Sequence, residues 1–271
     1  MSSDLPQSNG ASKGSLKLVV LGASKSYEIT SIKGPVAALS PVNMEINEGE
    51  FVVFVGPSGC GKSTLLNLIA GFIAPTAGQI LLDGKPVTRP GRDRLMMFQD
   101  HALFPWLNVI DNVVFGLKRR WFHPTLRKEK ALSLLRMMHL EKYEKAAIHE
   151  LSGGMKQRVA LARALAPDPR VLLIDEPFLA LDAMVKLELY AELQRIHLAT
   201  RKTIIFVTHE MQEAACLGDR VFVFSGSPGR ITHKLSIDLP RPRDFNDPKV
   251  VGFATQLMDR LKQNNQNPAR A

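Results

Sequence analysis

The sequence predicts an α/β protein built on a mainly parallel sheet, and three observations predict it. From Leu16 onward, short apolar runs alternate with longer stretches of helical spacing. Several runs, above all Phe51-Val52-Val53-Phe54-Val55, are apolar at consecutive positions, as strands buried on both faces must be. A glycine-rich turn follows that run directly and opens a helix. The 271 residues, 45% hydrophobic and 23% charged, are ample for one large domain with a subdomain, and they exclude disorder, collagen and a disulfide miniprotein.

Taken in order, residues 1–15 are rich in Ser, Gly and Asn, have no apolar stretch of a secretion signal, and read as a disordered leader. Strands are expected over 16–21, 51–55, 80–82, 171–174, 203–207 and 221–224. Helical spacing over 127–140 and 152–166, with no convincing strand between, marks a helical subdomain inserted at about 100–167. The chain beyond Ser225 is turn-rich through Leu239-Pro240-Arg241-Pro242-Arg243, so one domain spans 16–261 and a polar tail, 262–271, is expected to be disordered. The longest apolar runs fall far short of the ~20 residues needed to cross a bilayer as a helix.

The turn reads Gly56-Pro57-Ser58-Gly59-Cys60-Gly61-Lys62-Ser63-Thr64, which fits G-x-x-x-x-G-K-[ST] between a strand and a helix. Glycines let successive backbone N–H groups curl inward, and the helix adds its positive end to the same hollow. A polyphosphate is the matching ligand. Lys62 then neutralises the β- and γ-phosphates, Ser63 completes a Mg²⁺ shell and Thr64 helps hold phosphate. Cys60, within this loop, is expected to be favoured as thiolate by Lys62 and the helix end, although a loop position with little constraint is the plainer reading.

Asp175-Glu176-Pro177 closes the run 171–174, which puts two acids at the carboxyl end of a buried strand. Asp175 can reach Mg²⁺ through water, and Glu176, pointing elsewhere, can polarise an attacking water. Leu151-Ser152-Gly153-Gly154-Met155-Lys156-Gln157-Arg158 is a second glycine-bearing helix entry with Ser152 placed to cap it, hence a second surface that attracts anions. A net charge of +9 favours an anionic partner without choosing among nucleotide, nucleic acid and membrane. Two cysteines, Cys60 and Cys216, suggest no disulfide framework and a reducing compartment.

These motifs, in this order, resemble those of the ATP-binding cassette (ABC) ATPases, whose core is a P-loop nucleotide-binding fold. The resemblance implies an N-terminal antiparallel β subdomain beside the parallel sheet. It places Lys62 in the Walker A loop, Gln99 in the Q-loop beside Mg²⁺, Ser152, Gly153 and Gly154 in the signature, and Asp175 and Glu176 in Walker B. It also places Asp182 in the D-loop and His209 as the switch histidine that contacts the γ-phosphate and orients Glu176. Tyr27 stands where the family usually sets an aromatic against adenine, with an edge-strand aromatic as the plainer alternative. Met155 departs from the family's common glutamine. Leu179 stands where glycine is frequent, and a branched residue adopts a positive φ at greater cost.

The family resemblance further implies that two copies pack head to tail, with ATP on one Walker A loop completed by the partner's signature. With no membrane span, the chain looks like a separate ATPase component at the cytoplasmic face of the bacterial plasma membrane. Two permease subunits and, indirectly, a solute-binding protein are its implied partners, and no nucleic acid is expected. Phe98-Gln99-Asp100-His101-Ala102-Leu103-Phe104-Pro105-Trp106-Leu107, Ser227-Pro228-Gly229-Arg230 and the Leu239 to Arg243 segment look like the nitrate/sulfonate/taurine/bicarbonate importer branch. The patch from Leu103 to Leu107 falls where the family docks a permease helix, against a plainer reading as subdomain core. Lys118-Arg119-Arg120 and Arg127-Lys128 are read as a solvated face rather than a lipid contact. A cassette ATPase of DNA repair or translation, and a non-hydrolysing regulatory subunit, stand as alternatives.

Overall fold

The computed structural model describes residues 15–28, 34–98, 102–117, 123–179 and 181–266. Along the chain, β1 (Leu16–Glu28), β2 (Pro35–Asn47) and β3 (Phe51–Val55) precede α1 (Lys62–Ala70), and β4 (Ala77–Leu82), β5 (Lys85–Pro86) and β6 (Arg94–Met97) follow. Helices α2 (Val109–Leu117), α3 (Pro124–Met137) and α4 (Gly153–Leu165) lead to β7 (Val171–Asp175) and α5 (Ala183–Thr200). Then come β8 (Thr203–Thr208), α6 (Met211–Leu217), β9 (Arg220–Ser225), β10 (Arg230–Ser236) and α7 (Pro248–Gln266).

The larger sheet has the order β10-β9-β3-β8-β7-β6, parallel throughout except for β10 on its edge. Every residue of β3 is fully buried, and the two-residue period of a strand divides them between two cores. Phe51, Val53 and Val55 join the core built with α4, α5 and α6, whereas Val52 and Phe54 join the one built with α1 and the smaller sheet. Burial of each such side chain contributes about 1.5–3 kcal/mol, which fixes β3 as the axis of the domain.

The smaller sheet, β2-β1-β4-β5, is antiparallel, in agreement with the implied N-terminal β subdomain. Its strands were the least legible. β1 continues past Leu21 to Glu28 through register shifts, under a polar run of Ser24, Lys25 and Ser26 that conceals the period. β2 was not predicted, because Ser40, Pro41 and Asn43 break its apolar alternation, and pairing with β1 is what buries Leu39, Val42, Met44 and Ile46.

Between β6 and β7 the described residues form α2, α3, α4 and two short 3₁₀ turns, with no strand. At the other end a correction is needed: residues 262–266, expected as the start of a disordered tail, continue α7. Val250, Ala254 and Leu257 are buried, and a helix nucleated by that packing extends at little further cost into polar residues. Residues 1–14 of the expected leader and 267–271 of the tail lie outside the described residues. Among the described residues, no helix is long and apolar enough to cross a membrane.

The parallel order decides where chemistry can occur. Strands β3, β8 and β7 are neighbours, with Val55 opposite Thr208 and Val207 opposite Asp175. Their carboxyl ends therefore bring Gly56, His209 and Glu176 to one edge of the sheet.

Candidate active site

The turn after β3 wraps the start of α1, whose N-cap is Gly61 at φ 83°. No side chain caps that terminus and no acid occupies its first turn, so the helix presents its N–H groups and positive end unneutralised. Ala38, Ser58, Gly59, Gly61, Lys62, Ser63, Thr64, Asp175 and Glu176 line a cavity of about 290 Å³ at this point. The Lys62 ammonium, on a side chain 4% exposed, donates to the carbonyls of Gly56 at 2.8 Å and Pro57 at 2.9 Å, and lies 3.9 Å from Glu176 Oε1.

Asp175 and Glu176 diverge within this cavity. Asp175, the last residue of β7, accepts from the Ser63 hydroxyl at 3.0 Å, whereas Glu176 Oε2 lies 3.2 Å from Nδ1 of His209. Glu176 achieves this with φ 43°, a left-handed conformation uncommon outside glycine and held here by a strand end and the Glu176 N–H on the Val207 carbonyl. Burial pushes the Asp175 carboxyl up from its ordinary range, with the Glu176 charge adding to it, while Ser63 and Lys62 pull it down.

These donors fit Mg·triphosphate. A serine hydroxyl within hydrogen-bond distance of a carboxylate is the hard-oxygen set that a small divalent cation takes, and the uncapped helix end beside a buried lysine suits the phosphates.

Other expected site residues lie elsewhere. Ser152 and Gly153 are exposed, and the Ser152 hydroxyl caps α4 by accepting from Met155 N–H at 3.3 Å. Asp182, also exposed, caps α5 through Val185 N–H at 3.0 Å. Neither terminus lines the cavity of its own chain. Tyr27 sits near the end of β1, 40% exposed, with the Lys25 ammonium 5.2 Å from its ring centre. Gln99 and the Lys118-Arg119-Arg120 run lie outside the described residues.

Two expectations are corrected. Cys60 is only 2% exposed, and burial pushes its thiol up more strongly than Lys62, with Nζ 3.9 Å from Sγ, pulls it down; the loop therefore holds a thiol rather than a favoured thiolate. Leu179 is not in the left-handed region, since Glu176 takes the positive φ of this loop, so no strain attaches to the missing glycine.

The sequence reading also missed contributors. Ala38 reaches the cavity from β2, and Gly229 presses on the phosphate loop so closely that a Cβ there would lie 2.0 Å from the Cys60 carbonyl oxygen. Gly229 donates to the Ala38 carbonyl and accepts from Ser40 N–H, tying β2 to the loop. A glycine after Ser227-Pro228 was the available signal, although nothing local said what it approaches.

A second hollow, about 690 Å³, opens between the sheet and the helical segment, lined by Met97, Phe98, Ala102, Phe104, Phe115, Arg163 and neighbours. The patch from Leu103 to Leu107 divides around it: Leu103 packs on the core, Phe104 lines the hollow and Trp106 is 76% exposed. Arg163 of α4 donates to the Ala102 carbonyl at 2.7 Å and stands 5.3 Å from the Phe104 ring centre. The helix that begins at Ser152 thus ends against the hollow.

A family model described as ABC transporter matches residues 39–179. The chain belongs to the ABC transporter family. It is 46% identical over 218 residues to the taurine import ATP-binding protein TauB of Burkholderia pseudomallei, covering 80% of this chain and 84% of that one. With the nitrate import ATP-binding protein NrtD of Synechococcus elongatus it shares 41% identity over 236 residues, 84% of this chain and 86% of the other. Among solved structures, a dimeric post-hydrolysis ATP-binding cassette bound to ADP and Pi superposes with a TM-score of 0.70 at 31% identity, over 82% of this chain and all of that one. Like them the protein is an ABC ATP-binding subunit, an ATPase.

Proposed function

We propose that this ABC ATPase powers import of a small anion or organosulfonate through separate permease subunits, by ATP-driven closure of two copies packed head to tail. The observation that carries the dimer reading is spatial: Lys62, Ser63, Asp175 and Glu176 converge on one cavity, with His209 against Glu176, while the exposed signature terminus at Ser152 lies outside it. A second anion-seeking helix end, set apart from the cavity of its own chain, is accounted for by the triphosphate of another copy.

In the closed dimer Lys62 and the α1 terminus hold the phosphates, and Ser63 and Asp175 supply the oxygens for Mg²⁺. Bound there, Mg²⁺ would supply charge neutralisation for the phosphates. Glu176 takes the proton of the attacking water, and His209 keeps the Glu176 carboxylate turned toward the γ-phosphate. Trp106 and the apolar hollow beside Phe104 offer a permease helix an aromatic anchor, which supports a peripheral location at the cytoplasmic face of the membrane. The importer class follows the relatives named for taurine and nitrate import.

Mixing two inactive variants tests the head-to-tail reading. Ser152→Asp keeps an N-cap but aims a carboxylate at the partner's phosphates, and Lys62→Ala empties the phosphate grip. Each alone is expected to lose ATPase activity. In an equal mixture, half the dimers carry one intact composite site, so about a quarter of wild-type phosphate release returns. No recovery on mixing overturns the reading.

Tyr27 is assigned to adenine stacking on the strength of its exposed ring at the end of β1. Tyr27→Ala is expected to raise KM for ATP about two- to twelvefold, the range that an aromatic stack of 0.5–1.5 kcal/mol supplies, with kcat unchanged. Steady-state kinetics with ATP check it, and an unaltered KM returns Tyr27 to the role of an edge-strand aromatic.

A further inference from the structure

The pairing of His209 with Glu176 depends on two loops that follow different strands, and the structure shows what holds one to the other. Thr208, the last residue of β8, donates its hydroxyl to Oε2 of Glu213 in α6 and accepts from Glu210 N–H at 3.0 Å. One hydroxyl therefore clamps the residues on both sides of His209. Lys186 of α5 restrains Glu210 further, its ammonium 3.0 Å from the carboxylate.

Glu213 is 4% exposed, and its other oxygen accepts from the Tyr190 hydroxyl of α5 at 2.5 Å. Tyr190, 2% exposed, packs its ring edge-on against Phe178, with centroids 5.5 Å apart, two residues after Glu176. The Tyr190 side chain thus touches the Glu176 loop through Phe178 and the His209 loop through Glu213 and Thr208. A buried carboxylate is costly unless hydrogen-bonded, and an apolar residue on this face of α6 would pack without that cost. The acid at this position supplies direction instead: two hydroxyls in fixed places.

We propose that Tyr190 and Glu213 are positioning residues for hydrolysis, setting the separation of His209 and Glu176 through Thr208 on one side and Phe178 on the other. The inference rests on the roles given above to His209 and Glu176. Because misplacement of a reacting group by about 1 Å costs on the order of 10²-fold, loosening one link of this chain lowers turnover without touching nucleotide.

Steady-state kinetics of the full chain with Mg·ATP read the effect. Glu213→Gln and Thr208→Val are each expected to lower kcat about tenfold, with KM for ATP kept within about twofold because neither residue meets nucleotide. Tyr190→Phe, which keeps the ring packing, is expected to lower kcat about threefold, and Thr208→Ser, which keeps the hydroxyl, is expected to retain wild-type kcat. The deciding measurement is single-turnover cleavage in a His209→Ala background. There Glu213→Gln is expected to add less than about a twofold loss, since the separation of His209 and Glu176 that the chain sets no longer has two ends.

An equal fold loss in both backgrounds, or wild-type kcat in both Glu213→Gln and Tyr190→Phe, overturns the proposal. Wild-type turnover by His209→Ala alone would instead refute the role of His209, so the two failures are distinguishable.

Discussion

Glu176→Gln is expected to lower kcat for ATP by about 10²- to 10⁴-fold, the range lost with a general base, while ATP binding persists. The substitution keeps the shape and removes only the proton acceptor. It also removes a negative charge 3.9 Å from the Lys62 ammonium and beside Asp175, where a triphosphate must add several more. Affinity for ATP should therefore hold or rise, and the protein should accumulate as a closed, ATP-bound dimer. Phosphate release measures the first effect, and elution volume with and without Mg·ATP measures the second. Wild-type phosphate release by Glu176→Gln would remove the carboxylate from the chemistry altogether.

The second large effect concerns stability and comes from a segment that sequence reading noted only as a family mark. Arg243, 7% exposed, donates to the carbonyls of Ala215 at 3.0 Å and Gly218 at 2.5 Å at the end of α6, and to Leu239 at 2.9 Å. Its own backbone exchanges two hydrogen bonds with the Gln194 amide of α5. Beside it, Arg241 pairs with Asp219 at 2.7 Å. Leu239 to Arg243 thus fastens the C-terminal segment to the body of α5 and the end of α6. Burial pushes the Arg243 guanidinium down to about 10, still well above neutral pH, so it stays charged and its partners stay satisfied.

Arg243→Met should cost about 3–5 kcal/mol, because several buried carbonyls lose a charged donor together and methionine returns only packing. Urea denaturation should show a lower midpoint, and hydrogen exchange should rise over 215–218 and 239–254. A midpoint within error of wild type would mean that water satisfies those carbonyls and that the clasp is dispensable.

Asp219, in the same clasp, responds to pH. Burial alone pushes its carboxyl up, but the His197 imidazole, Arg241 and the Phe51 N–H outweigh that and hold it well below the ordinary range. A group with a depressed folded pKa stabilises above its unfolded value of ~3.9 and loses that contribution as pH falls toward the folded one. The clasp accordingly keeps this contribution at every pH above about 5 and loses it only in strong acid.

The parts of this protein that could be read from residue order are those whose cause is local. Five apolar residues in succession read as a doubly buried strand, and Gly56 to Thr64 read as a turn suited to phosphate, because period and backbone freedom act within a few residues. The proposed catalytic pair was legible for the same reason: Glu176 and His209 each stand at the end of an apolar run. Their 3.2 Å separation was not, since it follows from β7 and β8 lying side by side, with Glu176 in a left-handed conformation that no neighbour in sequence demands. Strand β2, the approach of Gly229 to the phosphate loop, the buried Glu213 and the grip of Arg243 were hidden alike. Each is stabilised by a partner distant in the chain, and hydrogen bonds and packing of that kind exist only once the backbone has closed on itself.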